Sequence, residues 1–439
     1  MRILLISSSN SIAAHLAYLL KQEGNEVRLF IDDIDRKENF ENMVEKTDNW
    51  QKELKWIGRG GNGLIVFDDI GYGKIQDELR KEGFSVFGGS ELADKLEDDR
   101  QYAQEIFTKE GIKTVTTKNF NDIQSAIDFV KKYKGAWVIK QNGHDSKGLN
   151  YVGFFDDGHD LVNVLENYQT NLNLKGEARI ITLQQKIKGV EIAVARYFNG
   201  IDWVGPIELN IEHKKFFPGD MGPATSEMGT LGWYIDRENN KLFNETLGKL
   251  KSHLKKINYK GAIDLNCIVN ETGAYPLEVT PRFGSPIVYL QAELHKSPWG
   301  EFLKAIADGK SYDLKWEKGY GVVILVTAPP FPYAKKLPDL SPKGLNIYLD
   351  PSLKESGLKH IHFEGVGLRK GSGPKQYYIS DYQGYVLYVT AVDNTVETAR
   401  TKASQIIRHI YFPKMFYRHD IGISFIETEY DKLCRWGYI

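Results

Sequence analysis

Residues 261–286, GAIDLNCIVNETGAYPLEVTPRFGSP, constrain this chain most. Two β-like runs flank a turn around Asn270–Gly273, and each run carries a carboxylate, Asp264 and Glu278. Side chains alternate between faces along a strand, and the two acids are an even number of residues apart. An odd-length turn would put both on one face of a hairpin. Two carboxylates on one face, with Arg282 just beyond, suit Mg²⁺ on a nucleotide polyphosphate. That ion takes one or two protein carboxylates and leaves its other positions to phosphate and water. The same residues also fit an ordinary half-exposed hairpin with solvated acids.

Residues 137–154, WVIKQNGHDSKGLNYVGF, form an apolar run ending in Lys140, a polar loop with Lys147 between Gly143 and Gly148, and a second apolar run. Glycine lets a backbone approach a phosphate, and each ammonium offers a point charge to its oxygens. The spacing of a Walker loop is absent. A surface hairpin with two solvated lysines has the same pattern. Residues 178–200, ARIITLQQKIKGVEIAVARYFNG, read as strand, link, turn and strand. The link Gln184, Gln185, Lys186 and Ile187 would lie beside a nucleotide base, and Glu191 could accept hydrogen bonds from ribose hydroxyls. A plain antiparallel pair with an exposed glutamate reads the same way.

In this order, the segments resemble the ATP-grasp superfamily, and within it the glycinamide ribonucleotide synthetase (phosphoribosylamine–glycine ligase) family. VFGGSELADKLEDDRQYAQEIFTKEGIKT, EHKKFFPGDMGPATSEMGT and LEVTPRFGSP are similar to successive motifs of that family. GYGVVILVTAPPFP, GYVLYVTAVDNTVETARTKA and FYRHDIG are similar to its closing strands and helix.

The resemblance implies ATP and Mg²⁺ (or Mn²⁺) as cofactors, and a set of roles. Lys140, Lys147 and Arg100 would hold the nucleotide phosphates, with Lys147 also acting in catalysis. Gln184 to Ile187 would face adenine, and Glu191 the ribose. Asp264, Glu278 and Thr280 would hold the metal, and Arg282 would steady the transferring phosphate. The substrate side would include Ser9, Asn10, His15, His213, Lys214, Asp220, Thr225 and Gly284. The implied reaction phosphorylates a carboxylate and lets an amine displace the phosphate, so positioning and charge neutralisation supply the catalysis.

The departures sit mostly on the acceptor side. The family's Gly-rich loop after the first strand is Ser7-Ser8-Ser9-Asn10 here, which still offers hydroxyls and helix-terminal amides to an anion but equally reads as a helix cap. Two acceptor-side carboxylates are replaced by Ser285-Pro286-Ile287 after Gly284, and Thr280 stands for a metal-binding amide. These changes favour a ligase of the same type with another acid or amine. Thr280 is the main support for a third alternative, a nucleotide-binding protein without catalysis.

The expected architecture is multidomain α/β and α+β: an ATP-grasp fold with an N-terminal Rossmann-like domain and a C-terminal mostly-β domain. Residues 1–90 alternate strand and helix, 91–313 carry the ATP-grasp part with a lid at about 114–185, and 314–439 close the chain with strands and a final helix at 395–410. The 439 residues suit two or three domains, and 57 basic residues balance 58 acidic ones, so no basic patch points to nucleic acid. No apolar run reaches membrane length. Cys267 and Cys434 cannot build a disulfide framework, which suits a reducing, cytoplasmic compartment, and Cys267 reads as core. The expected partners are small-molecule substrates, with the chain a monomer or small homo-oligomer.

Overall fold

The run RILLIS forms β1 (Arg2–Ser7), the centre of a parallel sheet with β2 (Glu26–Ile31), β3 (Glu45–Lys46), β4 (Gly63–Phe67) and β5 (Val86–Phe87), in the order β3-β2-β1-β4-β5. The structure is a computed structural model that describes residues 1–8, 11–140, 150–171, 181–333, 338–353, 355–371 and 373–439. Period-2 alternation serves both faces of this sheet. Ile3, Leu5, Leu64 and Val66 pack toward helix His15–Gln22, whereas Leu4, Ile6, Ile65 and Phe67 pack with Leu79 of helix Gly73–Lys81. These helices supply the helical half of the expected strand–helix alternation. Ser11, ahead of the first, takes a left-handed φ of 50°.

A second small sheet joins β6 (Thr117–Phe120), β7 (Trp137–Lys140), β8 (Tyr151–Val152) and β9 (Ile181–Gln185) in the order β6-β9-β7-β8. Helices Ile123–Lys132 and His159–Asn171 cover one face. Asp122 caps the first of them by accepting from Ser125 N at 2.7 Å, which sets its start at Ile123. Ala126, Ile127, Val130, Trp137, Ile139, Leu161, Leu165, Ile181 and Leu183 form a core of their own, separate from the main one. That separate core is the physical basis for treating this segment as a unit.

The main sheet is antiparallel. It contains β10 (Val190–Asn199), β11 (Trp203–Glu212), β14 (Gly229–Ile235), β15 (Lys260–Asn270), β16 (Gly273–Thr280) and β17 (Tyr320–Thr327); β12 (Lys215–Phe217) and β13 (Met221–Ala224) make a separate hairpin. Its order, β16-β15-β10-β11-β14-β17, crosses residue 314: Gly229 pairs with Ile324 and Thr230 with Val323. The C-terminal part therefore extends the central sheet. Past β17 the chain adds β18 (Asn346–Leu349), β19 (Ile361–Phe363), β20 (Val366–Leu368), β21 (Tyr377–Ile379), β22 (Tyr385–Asp393) and β23 (Ile410–Tyr411). β22 and β19 continue the main sheet, and the other four form a sheet ordered β20-β21-β18-β23. Helix Val396–Ile407 appears where expected, capped by Thr395. It is not the last element, because helix Tyr430–Trp436 follows it.

The two ends of the chain clasp each other. Arg36 meets Glu364 at 3.3 Å and Asp381 at 3.7 Å in a buried cluster, and Phe40 N donates to Val366 O at 2.8 Å. Among the described residues, no helix is long and apolar enough to cross a membrane.

Candidate functional site

Asp264 and Glu278 lie on one face of the β15–β16 hairpin, but not through an odd-length turn. The turn is the two-residue Glu271-Thr272, with Asn270 paired to Gly273. Uninterrupted, that register would set Glu278 opposite Leu265 and on the other face. A bulge supplies the odd residue: Cys267 pairs with Pro276, whereas Asn266 pairs with Glu278 and Asp264 with Thr280. Leu277 is the extra residue, and the bulge turns Glu278 and Thr280 to the face of Asp264 and Asn266.

That face continues across β10 and β11. Ala193 pairs with both Asn266 and Asn210, and Ala195 with both Asp264 and Glu208. The two alanines make a low floor over which polar side chains of the flanking strands meet. Asn210 Nδ2 donates to Asp264 Oδ2 and to Glu208 Oε1, both at 2.9 Å. Asn266 Nδ2 donates to Glu191 Oε1 and to Glu212 Oε2, both at 2.8 Å. Asp264 is only 7 % exposed. Burial, then the charges of Glu212 and Glu208, push its carboxyl well above the ordinary range. Burial likewise raises Glu208, to about 7.

Nearer the surface, the Lys214 ammonium stands among three carboxylates: Glu212 at 2.7 Å, Glu278 at 3.2 Å and Glu191 at 3.4 Å. Burial would lower its pKa, but the three acids outweigh burial and hold it well above the usual lysine value. The expectation put Lys214 with the substrates. It stands instead with the residues assigned to nucleotide and metal.

The small sheet brings the cations. Lys140 pairs with Thr182 and Val138 with Gln184, so Lys140, Thr182 and Gln184 share the face away from the covering helices. Lys140 is driven down to about 8 by burial first, then by Arg100 and, less, by Lys214, while Glu278 and Glu191 act in the other direction. Arg100, at the start of helix Arg100–Lys109, is lowered by burial and supported by Glu278. Lys140 thus feels Arg100, Lys214, Glu278 and Glu191, and Arg100 feels Glu278. Gln184 is buried, and its Nε2 has no hydrogen-bond partner among the described residues. Beside it, Gln185 is exposed, Lys186 Nζ donates to Gly153 O at 2.7 Å, and Ile187 is half-buried. Lys147 lies outside the described residues.

On the N-terminal side, Arg282 is held by Glu97 at 2.9 Å and Asp69 at 3.2 Å. Burial opposes its charge, but these two acids outweigh burial and raise its pKa. Asp68, fully buried at the end of β4, accepts from Ser8 N at 3.1 Å, Ala13 N at 3.1 Å and Ser7 Oγ at 2.7 Å. Burial, then Asp69, raises it to about 6. Ser9 and Asn10 lie outside the described residues.

Two expected substrate residues are packing residues. His15 is 2 % exposed, accepts from Phe363 N at 3.1 Å through Nδ1, and is ringed by Tyr18, Phe40, Tyr289 and His362. His213 is buried, and its Nε2 accepts from Gly422 N at 3.0 Å. Burial, then Arg418, lowers it to about 4. Asp220, with a left-handed φ of 54°, is tied to Arg418 at 2.9 Å, and Thr225 donates N and Oγ1 to Lys214 O at 2.7 and 2.8 Å. At Gly284 a Cβ would stand 2.5 Å from Ile287 Cγ2, so the close turn into helix Ile287–Leu294 requires glycine.

Glu212, Asn210, Asn266, Asp68, Asp69 and Glu97 were not among the expected site residues. A signal existed for three of them. Glu208, Asn210 and Glu212 recur every second residue in apolar β11, as Asp264 and Asn266 do in β15.

The donors on this face are carboxylate, amide and hydroxyl oxygens, which suit Mg²⁺. Among the described residues, no three His, Cys, Asp or Glu side chains already form a metal-holding group. The arrangement fits an ion that takes one or two carboxylates and completes its shell with phosphate.

The family model "Phosphoribosylglycinamide synthetase, ATP-grasp (A) domain" matches residues 98–288, and the C domain of the same synthetase matches 334–424. The chain is 26% identical over 359 residues to a phosphoribosylamine–glycine ligase of Caldanaerobacter subterraneus subsp. tengcongensis, covering 80% of this chain and 82% of that one. It is 24% identical over 358 residues to the Clostridium acetobutylicum ligase of the same name, covering 80% and 81%. The crystal structure of the Thermotoga maritima phosphoribosylamine–glycine ligase superposes with a TM-score of 0.69 at 22% identity, over 96% of this chain and 100% of that one. A Campylobacter jejuni biotin carboxylase superposes at 0.62 and 12% identity, over 98% of each chain. At these identities the structural likeness speaks for the fold.

Proposed function

The chain belongs to the phosphoribosylglycinamide synthetase family of ATP-grasp ligases, and from that premise we propose that it joins glycine to 5-phosphoribosylamine at the expense of ATP. The products are glycinamide ribonucleotide, ADP and phosphate. The observation that carries this reading is the meeting of Glu278, Glu212 and Glu191 at the Lys214 ammonium, with Lys140 and Arg100 near enough for the charge of Glu278 to act on both. Cations on one wall and carboxylates on the other are what a metal–polyphosphate requires.

A glycine carboxylate oxygen attacks the γ-phosphorus, the bond to ADP breaks, and an acylphosphate forms. The amine nitrogen then attacks the carbonyl carbon, phosphate leaves with its oxygen, and the nitrogen loses a proton. Lys140 and Arg100 would pair with phosphate oxygens and offset the charge that moves between them. Glu278, with Thr280 beside it, would hold Mg²⁺, which neutralises phosphate charge when bound. Glu212 is the second carboxylate within reach, and Asp264, buried under Asn210, would orient the face from below. Gln184 would present its unpartnered Nε2 toward the base. Arg282 would act at the acceptor end, between Asp69 and Glu97.

The test is phosphate release from Mg²⁺–ATP with glycine and freshly generated phosphoribosylamine, each omitted in turn. Release that needs both, with glycinamide ribonucleotide found by mass spectrometry, supports the reading. A second reading, the same chemistry on another amine, is favoured by Asp68. Its carboxylate already takes the backbone donors of Ser8 and Ala13 that a sugar phosphate would use. Release with other amines but none with phosphoribosylamine would select it.

A further inference from the structure

We propose that Lys214 is a resident cation: its ammonium fills the carboxylate nest until nucleotide arrives, so a divalent ion enters only together with the polyphosphate. The proposal rests on the ATP–Mg²⁺ reading of this site. Three acids from three strands meet one nitrogen, Glu212 of β11 at 2.7 Å, Glu278 of β16 at 3.2 Å and Glu191 of β10 at 3.4 Å. Those are ammonium distances; Mg²⁺ binds oxygen at about 2.0–2.1 Å. A metal ion on Glu278 and Glu212 would need the oxygens that Lys214 now occupies, and two cations so close repel strongly.

The side chain is free to leave, whereas its backbone is not. The ammonium-bearing chain is 35 % exposed, and Glu278 is 49 % exposed. Both Thr225 N and Thr225 Oγ1 hold Lys214 O, at 2.7 and 2.8 Å. Lys214 can therefore swing about a fixed point. Lys214, Lys140 and Arg100 stand among Glu191, Glu212 and Glu278. A polyphosphate adds negative charge and gives the ammonium a new partner, and the emptied nest then attracts Mg²⁺. Nucleotide and metal binding become mutually dependent. Asn266, which donates to both Glu191 and Glu212 at 2.8 Å, keeps the nest assembled in either state.

The experiment measures Mn²⁺ binding to the full chain by electron paramagnetic resonance, with and without ATP, in wild type, Lys214→Met and Lys214→Arg. Metal-free ATP binding is measured by calorimetry on the same samples, and thermal melting verifies folding. Without ATP, Lys214→Met should bind Mn²⁺ at least about tenfold more tightly than wild type, and metal-free ATP at least about tenfold more weakly. Lys214→Arg, which keeps the charge, should stay within about threefold of wild type in nucleotide-free Mn²⁺ affinity. Unchanged Mn²⁺ affinity in folded Lys214→Met overturns the proposal while leaving the ATP site standing. No Mn²⁺ uptake by wild type even with ATP overturns both.

Discussion

The nucleotide-side face and the loop after β4 both gather carboxylates, but they spend them differently. On the face, Glu278, Glu191 and Lys214 are partly exposed and pair through side chains that can exchange partners. In the loop, Asp68 is fully buried and saturated by two backbone N–H groups and one hydroxyl. Charge meant for a ligand stays at the surface with replaceable partners, whereas charge meant for the fold is sealed beneath backbone donors. His15 and His213 belong with Asp68 on this criterion, since each is buried with a ring nitrogen committed to a main-chain amide.

The largest test of this contrast is Glu278→Gln. Removing an exposed, exchangeable carboxylate should cut ATP-dependent phosphate release by about 10²–10³-fold and shift the melting temperature little. A large loss of stability with activity intact would place Glu278 on the structural side.

Asp68 should respond in the opposite way. Its folded pKa of about 6 lies above the ordinary 3.8. Between these values the unfolded chain gives up the proton that the folded chain keeps, so stability falls as pH rises from about 4 to 6 and then levels off. The span corresponds to about 3 kcal/mol. Urea midpoints at several pH values should show this slope in wild type and lose it in Asp68→Asn. Parallel curves would remove Asp68 from the buried class.

His213→Ala should cost about 2 kcal/mol, because the N–H of Gly422 loses its acceptor in a buried place. Its kcat/KM should stay within about threefold of wild type; a selective rise in KM would return His213 to the substrates. The smallest effect is expected at Asp122→Ala, about 1 kcal/mol from loss of a helix cap, read as increased amide exchange in the small sheet and its helices.

Much of the fold was legible because it is written in short periods. RILLIS, EVRLFI and GLIVF alternate two buried faces, and helix Ile123–Lys132 shows its stripe at Ala126, Ile127 and Val130. Lys140, Glu278 and Glu191 stood out because a charged residue ending or interrupting an apolar run is a local signal. Glu212 did not, although it alternates with Glu208 and Asn210 in β11, and Lys214 was expected among the substrate residues; both gain their meaning only from Glu278, more than sixty residues on.

The sequence by itself determined the strands, their alternation and the succession of units, because these rest on contacts between near neighbours along the chain. Tertiary structure alone decided three things. A bulge at Leu277 turned Glu278 to the face of Asp264, the pairing of β14 with β17 drew the C-terminal part into the central sheet, and three strands closed on the Lys214 ammonium. Each depends on register between distant segments. Register is set by side chains meeting across strands, such as Asn210 reaching Asp264 above Ala193 and Ala195, and no single strand records it.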